Sequence, residues 1–313
     1  MLARTADNIF WLARYMERLD NIARIVDVAY RLSALPLEDG AATNEWESAL
    51  VAAGQEEAYR ALYDEVTPED TIAFLTFDRR NASSIRSCLE AARINARAVR
   101  ADLPHSVWEA VNEPWLEMRP RIDAPTISEL PEFLRLVVES AALFDAQCYR
   151  TMLRNDAFYF QRVGAYLERA DATARILDVK YHLLLPEGSP VGGSLDHYQW
   201  SAILRSVNAR SNYQSLYRQA LRPWLIADLL ILRPEMPRSI TACAEKLREY
   251  LDGLADIYGR QGQSQRMARA THARFTQSDI KSIYQEGLHE LLTDFLGRNG
   301  ALGQAISQQY LLG

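Results

Sequence analysis

The residues of this sequence best suited to chemistry are acids and arginines that occur twice in the same order. Residues 15–30 contain Glu-Arg-x-Asp followed by Ala-Arg and Asp-Val, and residues 166–181 repeat this order. The repeated charges are Glu17, Arg18, Asp20, Arg24, Asp27, Glu168, Arg169, Asp171, Arg175 and Asp178. Paired carboxylates can exchange protons or bind a cation, and the planar fork of arginine can bind a carboxylate or another anion. These ten residues are the candidate functional or structural motif.

A metal site formed by these carboxylates is not expected. Each lies among arginines, whose positive charge repels a cation and keeps the carboxylates ionised. Glu286 and His289 have the Glu-x-x-His spacing of di-iron bundles, but that site needs two such helices and the first half has no corresponding histidine. No nucleotide-binding glycine motif and no Gly-x-Ser-x-Gly sequence occurs. We therefore expect no metal and no cofactor, and we assign no catalytic residue.

Three explanations for the repeated charges stay open. The charges form a buried polar network between two helices, or they line a cleft that binds a charged ligand or partner, or they catalyse a reaction there. Ion pairs at i,i+4, such as Asp20 with Arg24 and Asp27 with Arg31, explain charges on an exposed helix but not why the same residue types recur. Retained arginine indicates that geometry matters, because lysine cannot hold a carboxylate bidentately. Arg18 and Arg169 lie about 100° round the helix from the preceding glutamates, so their role is left open.

The duplication extends through most of the chain. The motif recurs after 151 residues, and later segments recur after 154 or 155 residues. The corresponding pairs include Trp46 and Trp200, Tyr59 and Tyr213, Ser84 and Ser239, and Cys88 and Cys243. This pattern predicts two similar halves, residues 1–150 and 151–313, each about the size of a domain. We expect the halves to pack as one compact body.

The hydrophobic pattern predicts an all-α protein, an internally duplicated helical bundle with two pseudo-symmetric halves. In the first motif helix the apolar face contains Trp11, Tyr15, Leu19, Ile22, Val26 and Tyr30. Proline and glycine predict that the two motif helices stop near Pro36 and Pro186. Further helices are predicted near 45–64, 79–101, 103–118, 127–153, 196–219, 236–258 and 277–311, with short ones near 68–76 and 222–232. Residues 259–266 lack an apolar stripe and are predicted to form a loop or a helix extension.

The composition is that of an ordinary globular protein. Among 313 residues, 48% are hydrophobic and 24% are charged, and the formal net charge of −6 gives no general attraction to nucleic acid or anionic membranes. No apolar run approaches the roughly 20 residues that span a bilayer, and no secretory leader is recognised. We therefore expect a cytoplasmic protein that binds neither nucleic acid nor membrane. Its three cysteines are expected to be buried thiols.

The sequence resembles the bacterial Alpha-E family, a domain of unknown function. The resemblance rests on the twice-used Glu-Arg-x-Asp-x-x-Ala-Arg-x-x-Asp-Val motif, on Thr-Ala-Asp-Asn from Thr5 and on Gly-Leu-His-Glu from Gly287. It covers essentially the whole chain. The Glu-Arg signature of the family falls on residues 17–18 and 168–169.

The resemblance implies a partnership more than a reaction. Alpha-E proteins are typically encoded beside, or fused to, circularly permuted ATP-grasp proteins, and often near transglutaminase-like proteins. The implied role is that of a non-catalytic helical partner or scaffold of an ATP-grasp ligase in peptide or amide-bond synthesis, modification or tagging. A transglutaminase-like protein or a peptide substrate is a further implied partner. The alternative is an enzyme, or a protein that binds a small anion or a peptide, with the charged stripe in a cleft between the halves.

Overall fold

The structure is a computed structural model that describes residues 1–33, 45–123, 126–182 and 194–311. These residues form fifteen α-helices and no strand, which confirms the predicted all-α class. The helices are α1 Ala3–Ser33, α2 Glu45–Ala52, α3 Glu56–Arg60, α4 Pro68–Thr76, α5 Ile85–Ala98, α6 His105–Asp123, α7 Leu130–Thr151, α8 Asp156–His182, α9 Ser194–Ser206, α10 Arg210–Tyr217, α11 Pro223–Ala227, α12 Ile240–Tyr258, α13 Gln263–Gln277, α14 Ile280–Glu286 and α15 Leu288–Ile306. The stops predicted near Pro36 and Pro186 lie outside the described residues.

Several helices begin at polar residues whose side-chain oxygens accept hydrogen bonds from the first backbone N–H groups of the helix. The hydroxyl oxygens of Ser84 and Ser239 accept from the backbone of Ser87 and Ala242 at 3.1 and 3.0 Å and start α5 and α12. Thr67 starts α4 in the same way. Because a helix leaves its first four N–H groups without internal partners, such caps fix where each helix begins. The predicted starts of α5 and α12, near residues 79 and 236, were too early for this reason.

Three predicted long helices are divided in the structure. The chain leaves the helical conformation at Gly54 and at Asn208, with φ of +64° and +53°, so residues 45–64 and 196–219 each form two short helices. Gly287, with φ of +100°, separates α14 from α15. Glycine adopts positive φ without a Cβ clash, and asparagine tolerates it better than most residues. A further correction concerns α13, which begins at Gln263 inside the stretch predicted as a loop or a helix extension.

The two motif helices, α1 and α8, pack directly against each other at the centre of the molecule. α1 also packs on α5 and α7, whereas α8 packs on α12 and α15. The helices come so close near Gly164 that a Cβ atom there would lie 2.4 Å from the carbonyl oxygen of Phe10 and 3.3 Å from the Cβ of Ala13. Because glycine has a hydrogen atom in place of Cβ, the two helices can make this contact. The contact brings the polar residues that follow on each helix within reach of the other helix.

The hydrophobic core is continuous across the two predicted halves. One cluster of buried side chains includes residues from α1 and α5 as well as α8, α12 and α15. Helices also cross between the halves, because α2 packs on α8 and α9 packs on α1. The division into residues 1–150 and 151–313 remains a prediction from the repeat. In the part of the chain that the structure describes, no helix combines the length and the apolar character needed to cross a bilayer.

Candidate functional site

The first buried ion-pair site surrounds the carboxylate of Glu17 on α1. Arg169 of α8 binds it with two parallel hydrogen bonds, from Nε to Oε1 at 2.8 Å and from Nη2 to Oε2 at 2.7 Å. Arg238, two residues before α12, donates to the same carboxylate at 2.9 Å and to Asp20 at 2.6 Å. Arg24 completes this group by donating to both oxygens of Asp20. Glu17 and Asp20 are 8% and 4% exposed, so two carboxylates are buried with three arginines.

The second site surrounds the carboxylate of Glu168 on α8. Arg18 of α1 donates from Nε to Oε1 at 2.5 Å, and Arg14 donates from Nε to Oε2 at 2.8 Å. Arg14 also lies over the ring of Trp11, with the guanidinium carbon 4.6 Å from the ring centre. Glu168 is as buried as Glu17, at 7% exposed. Each signature glutamate therefore has two arginines.

The pairing between the two signatures is reciprocal. The glutamate of the first signature binds the arginine of the second, and the glutamate of the second binds the arginine of the first. Consecutive helical residues point about 100° apart. Glutamate and arginine therefore occupy two edges of the face that each helix turns toward the other. Arg18 and Arg169, whose role the sequence left open, thus belong to this contact between helices.

The arginines keep the buried glutamates ionised. Burial alone raises the pKa of Glu17, but the positive charges of Arg169 and Arg238 outweigh it and hold this pKa at about 2. Burial and the charges of Arg18 and Arg14 act in the same opposing way on Glu168, and the net pKa is again lowered. The pKa of Arg169 is raised well above its usual value, because the adjacent carboxylate outweighs the effect of burial. Neither glutamate can act as a general acid near neutral pH in this arrangement.

Apart from Asp178, which is 8% exposed, the remaining motif charges lie farther along the two helices and are more exposed. Asp171 accepts from Arg175 at 2.7 Å, and Asp27 accepts from Arg31 at 2.9 Å, both at i,i+4. The side chains of Arg175 and Arg31 are 38% and 63% exposed. The structure thus divides the predicted stripe into a buried part that joins two helices and an outer part of pairs within one helix.

Asp178 contacts a histidine of the last long helix. Its carboxylate lies 2.7 Å from Nδ1 of His289 on α15, and this hydrogen bond raises the pKa of the imidazole. The histidine of the Glu-x-x-His sequence therefore lies against an acidic motif residue, and Gly287 separates it from Glu286, which ends the preceding helix. Within the described ranges, no group of three or more histidine, cysteine or acidic side chains is arranged to hold a metal ion.

Sequence reasoning missed Arg14 and Arg238, because neither arginine recurs in the other half. The residue 151 positions after Arg14 is Ala165, and the residue 155 positions before Arg238 is Ser83. A search for repeated residues discards such positions. Their positive charge beside a predicted buried carboxylate was the signal that could have found them, but it needed knowledge of which parts of the chain lie next to each signature glutamate.

Two cysteines lie beneath the ion pairs as buried thiols. Cys88 and Cys243 are both free and buried, and burial raises the pKa of each thiol to about 12. A thiol with such a pKa is protonated at neutral pH and is a poor nucleophile. Their role is therefore to fill space beside the ionic network.

A small cavity lies on another face of α8. Its volume is about 10 Å³, enough for about one water molecule, and its lining includes Ala170, Ala244, Phe295 and Asn299. None of the charged motif residues lines it. This cavity therefore gives the signature charges no access to a substrate.

Comparison with known proteins identifies a family for the whole chain. No significant match was found to a curated protein or to a solved structure. The profile of the Alpha-E family, described as a predicted alpha-helical domain with a conserved ER motif, matches residues 1–311. The dipeptide Glu-Arg occurs at two places in this sequence, the two buried sites described above. The chain belongs to the Alpha-E family.

Proposed function

We propose that this chain is a non-catalytic helical partner of a circularly permuted ATP-grasp ligase, acting in the cytoplasm in the synthesis, modification or tagging of peptides through amide bonds. The ligase supplies the nucleotide chemistry. This chain organises the ligase or presents its peptide substrate. A transglutaminase-like protein is a further partner in the same system.

One observation carries the non-catalytic part of the proposal. The four signature side chains bind one another in pairs whose glutamates are buried, at 2.7 Å for Arg169 with Glu17 and 2.5 Å for Arg18 with Glu168. A general acid or base must reach a substrate and must exchange protons near the working pH. The signature glutamates are buried and held ionised, and their charges bind arginines that join α1 to α8.

The identity of the partner rests on the Alpha-E family and its gene neighbourhood. A partner's binding site must therefore be tested with side chains that leave the two Glu-Arg signature pairs intact. Arg24 and Arg175 meet this condition, since each bonds to an aspartate of its own helix. Arg24 is one of two arginines on the buried Asp20, so the variants are compared after both are shown to fold by circular dichroism.

The test is co-purification of the tagged chain with a circularly permuted ATP-grasp protein from the same genome. The wild type is compared with Arg24→Ala, Arg175→Ala and with a control, Arg97→Ala, Arg150→Ala, which removes two exposed arginines elsewhere. We expect a wild-type complex that the control retains and the first variant weakens. Failure of the wild type to bind the ligase or to change its rate of amide formation would contradict the proposal.

Turnover by this chain alone provides the opposing test. The purified chain is incubated with ATP, a carboxylate peptide and a simple amine, and amide product is measured by mass spectrometry. We expect none. Amide formation that is lost in a folded Glu17→Gln, Glu168→Gln variant would favour the alternative, an enzyme that uses the charged stripe.

A further inference from the structure

The segments containing α2–α4 and α9–α11 correspond in the repeat but carry opposite charge. Residues 45–72 contain eight acids and one arginine, a formal charge of −7. Residues 199–227, about 154 positions later, contain four arginines and no acid, a formal charge of +4. The corresponding helices α2 and α9 each pack on both helices of the central pair, α1 and α8. One molecule therefore displays an acidic region and a basic region built on corresponding elements.

The arginines of the basic region are free to meet a partner. Arg205, Arg210, Arg218 and Arg222 are all exposed, and none forms an ion pair within the described chain. Two apolar side chains lie in the same segment, Leu216 at 45% exposed and Trp224 at 48% exposed. We call these six residues the arginine surface.

The acidic region has the same construction with the sign reversed. Glu57, Asp64, Glu65 and Glu69 are exposed and form no ion pair within the described chain. Leu62, 42% exposed, lies among them and corresponds in the repeat to Leu216. These five residues are the acidic surface.

Unpaired charges of one sign around an exposed apolar side chain are typical of a docking surface. Complementary charge guides two surfaces together, while exposed apolar side chains supply contact area once water is excluded. Tryptophan and arginine are frequent among the residues that dominate binding energy. The acidic surface supplies the matching charge and a matching leucine on the same polypeptide.

We propose that the arginine surface of one copy of this chain docks on the acidic surface of a second copy. The two surfaces differ, so the contact is head-to-tail and leaves one surface of each kind free at the ends. Such a contact produces a ring if the rotation between copies closes and an open chain if it does not. The association uses none of the signature residues and does not depend on the proposed ligase partner.

The first measurement is the mass of the purified chain by light scattering across a dilution series and a salt series. We expect species larger than a monomer at about 100 μM protein and about 0.05 M salt, and dissociation at about 0.5 M salt, where exposed charges are screened. A monomer throughout the low-salt series would overturn the proposal.

Charge reversal locates the contact. Arg218→Glu, Arg222→Glu brings the formal charge of the arginine surface from +4 to 0, and we expect at least about tenfold weaker association. The control Arg97→Glu, Arg150→Glu makes the same change in net charge at exposed positions outside the two surfaces and should associate like the wild type. Equal loss in both variants would overturn the proposal, because net charge alone would then explain the loss.

A mixing experiment tests the pairing itself. Asp64→Arg, Glu65→Arg brings the formal charge of the acidic surface from −4 to 0, and this variant should also be defective alone. Mixed with Arg218→Glu, Arg222→Glu, it should form complexes that contain both variants, because the unchanged acidic surface of one variant then meets the unchanged arginine surface of the other. Absence of such mixed complexes, with both variants folded by circular dichroism, would contradict the assignment. Nucleic acid that co-purifies with the wild type and is lost in Arg218→Glu, Arg222→Glu would also overturn it, in favour of a polyanion.

Discussion

Glu17 and Glu168 occupy corresponding places on the two central helices, yet their second arginines come from different parts of the chain. Glu168 receives Arg14 from the facing helix α1, one turn before Arg18. Glu17 receives Arg238 from the residues that precede α12. At the positions that correspond to Arg14 and Arg238, the chain has Ala165 and Ser83. Each buried glutamate therefore has two arginine partners. Only one arginine of each pair recurs at the corresponding position in the other half.

The neighbouring aspartates show the consequence of this difference. Asp20 binds both Arg24 and Arg238, and its side chain is 6% exposed. Asp171, the corresponding residue, binds Arg175, and its side chain is 27% exposed. A carboxylate can leave water only when hydrogen-bonded charge replaces its hydration. The aspartate with two arginine partners is therefore more deeply buried than the aspartate with one.

The largest effect should come from removing a signature arginine. Arg169→Ala leaves the buried Glu17 with Arg238 as its partner, and we expect a loss of about 3–5 kcal/mol in the free energy of unfolding, measured by denaturant titration. Arg18→Ala should cost less, because Arg18 makes one hydrogen bond to its glutamate where Arg169 makes two. Equal losses of unfolding free energy in the two variants would show that the two arginines stabilise the protein equally, against the difference in their hydrogen bonds.

Acid should weaken the Glu17 site over a defined range of pH. The pKa of Glu17 is lowered from 4.5 to about 2, so the folded state binds its proton less readily than the unfolded chain. This residue therefore contributes stability above pH 4.5 that is lost as the pH falls toward 2. Denaturant titrations from pH 7 to pH 2 should give a flatter curve for Glu17→Gln than for the wild type. Parallel curves would show that Glu17 does not have this pKa.

The close approach of the two helices should be sensitive to one added methyl group. In Gly164→Ala the new Cβ would lie 2.4 Å from a backbone oxygen of α1, and we expect a loss of about 1–3 kcal/mol in unfolding free energy. Gly300→Ala is the matched control, because that helical glycine has open space around it. The control should gain about 0.5–1 kcal/mol, as alanine favours a helix over glycine. A stable Gly164→Ala protein would contradict the tight crossing.

The smallest effect in this series should come from the arginines that do not recur. Converting each to its counterpart gives Arg238→Ser and Arg14→Ala, which leave both signature pairs in place. We expect a loss of about 1–2 kcal/mol in unfolding free energy for Arg238→Ser, because Arg238 bonds two carboxylates. The loss for Arg14→Ala should be smaller, because Arg14 bonds one. Thermal or denaturant unfolding measures both. The reverse order would show that the two sites do not differ in the way their contacts indicate.

The sequence was sufficient for the all-α class and for the two motif helices, because the apolar period and the repeated charges agree there. It was insufficient for helix breaks, although Gly54 and Asn208 are residue types that adopt positive φ. Pattern alone treats a glycine or asparagine inside an apolar period as tolerated. α13 was missed because Ala268 and Phe275 are its sole buried apolar residues, too few to form a stripe.

The candidate site was predicted in its members but not in its geometry. Sequence spacing placed Asp20 with Arg24 and Asp27 with Arg31, and the structure has both pairs. Pairing between Glu17 and Arg169 depends on how α1 and α8 cross, which is a property of packing and not of either helix. Repetition of a charged residue thus indicates that its residue type matters. The residue that it pairs with can be found only from the three-dimensional structure.

The most direct test of the central claim, that the Glu-Arg signature joins α1 to α8, is a double-mutant cycle on Glu17 and Arg169. Unfolding free energies are measured for the wild type, Glu17→Gln, Arg169→Met and the double variant at neutral pH. We predict a coupling energy of about 2 kcal/mol or more, with the double variant far more stable than the sum of the single losses allows. A coupling near zero, with both single variants as stable as the wild type, would contradict the claim.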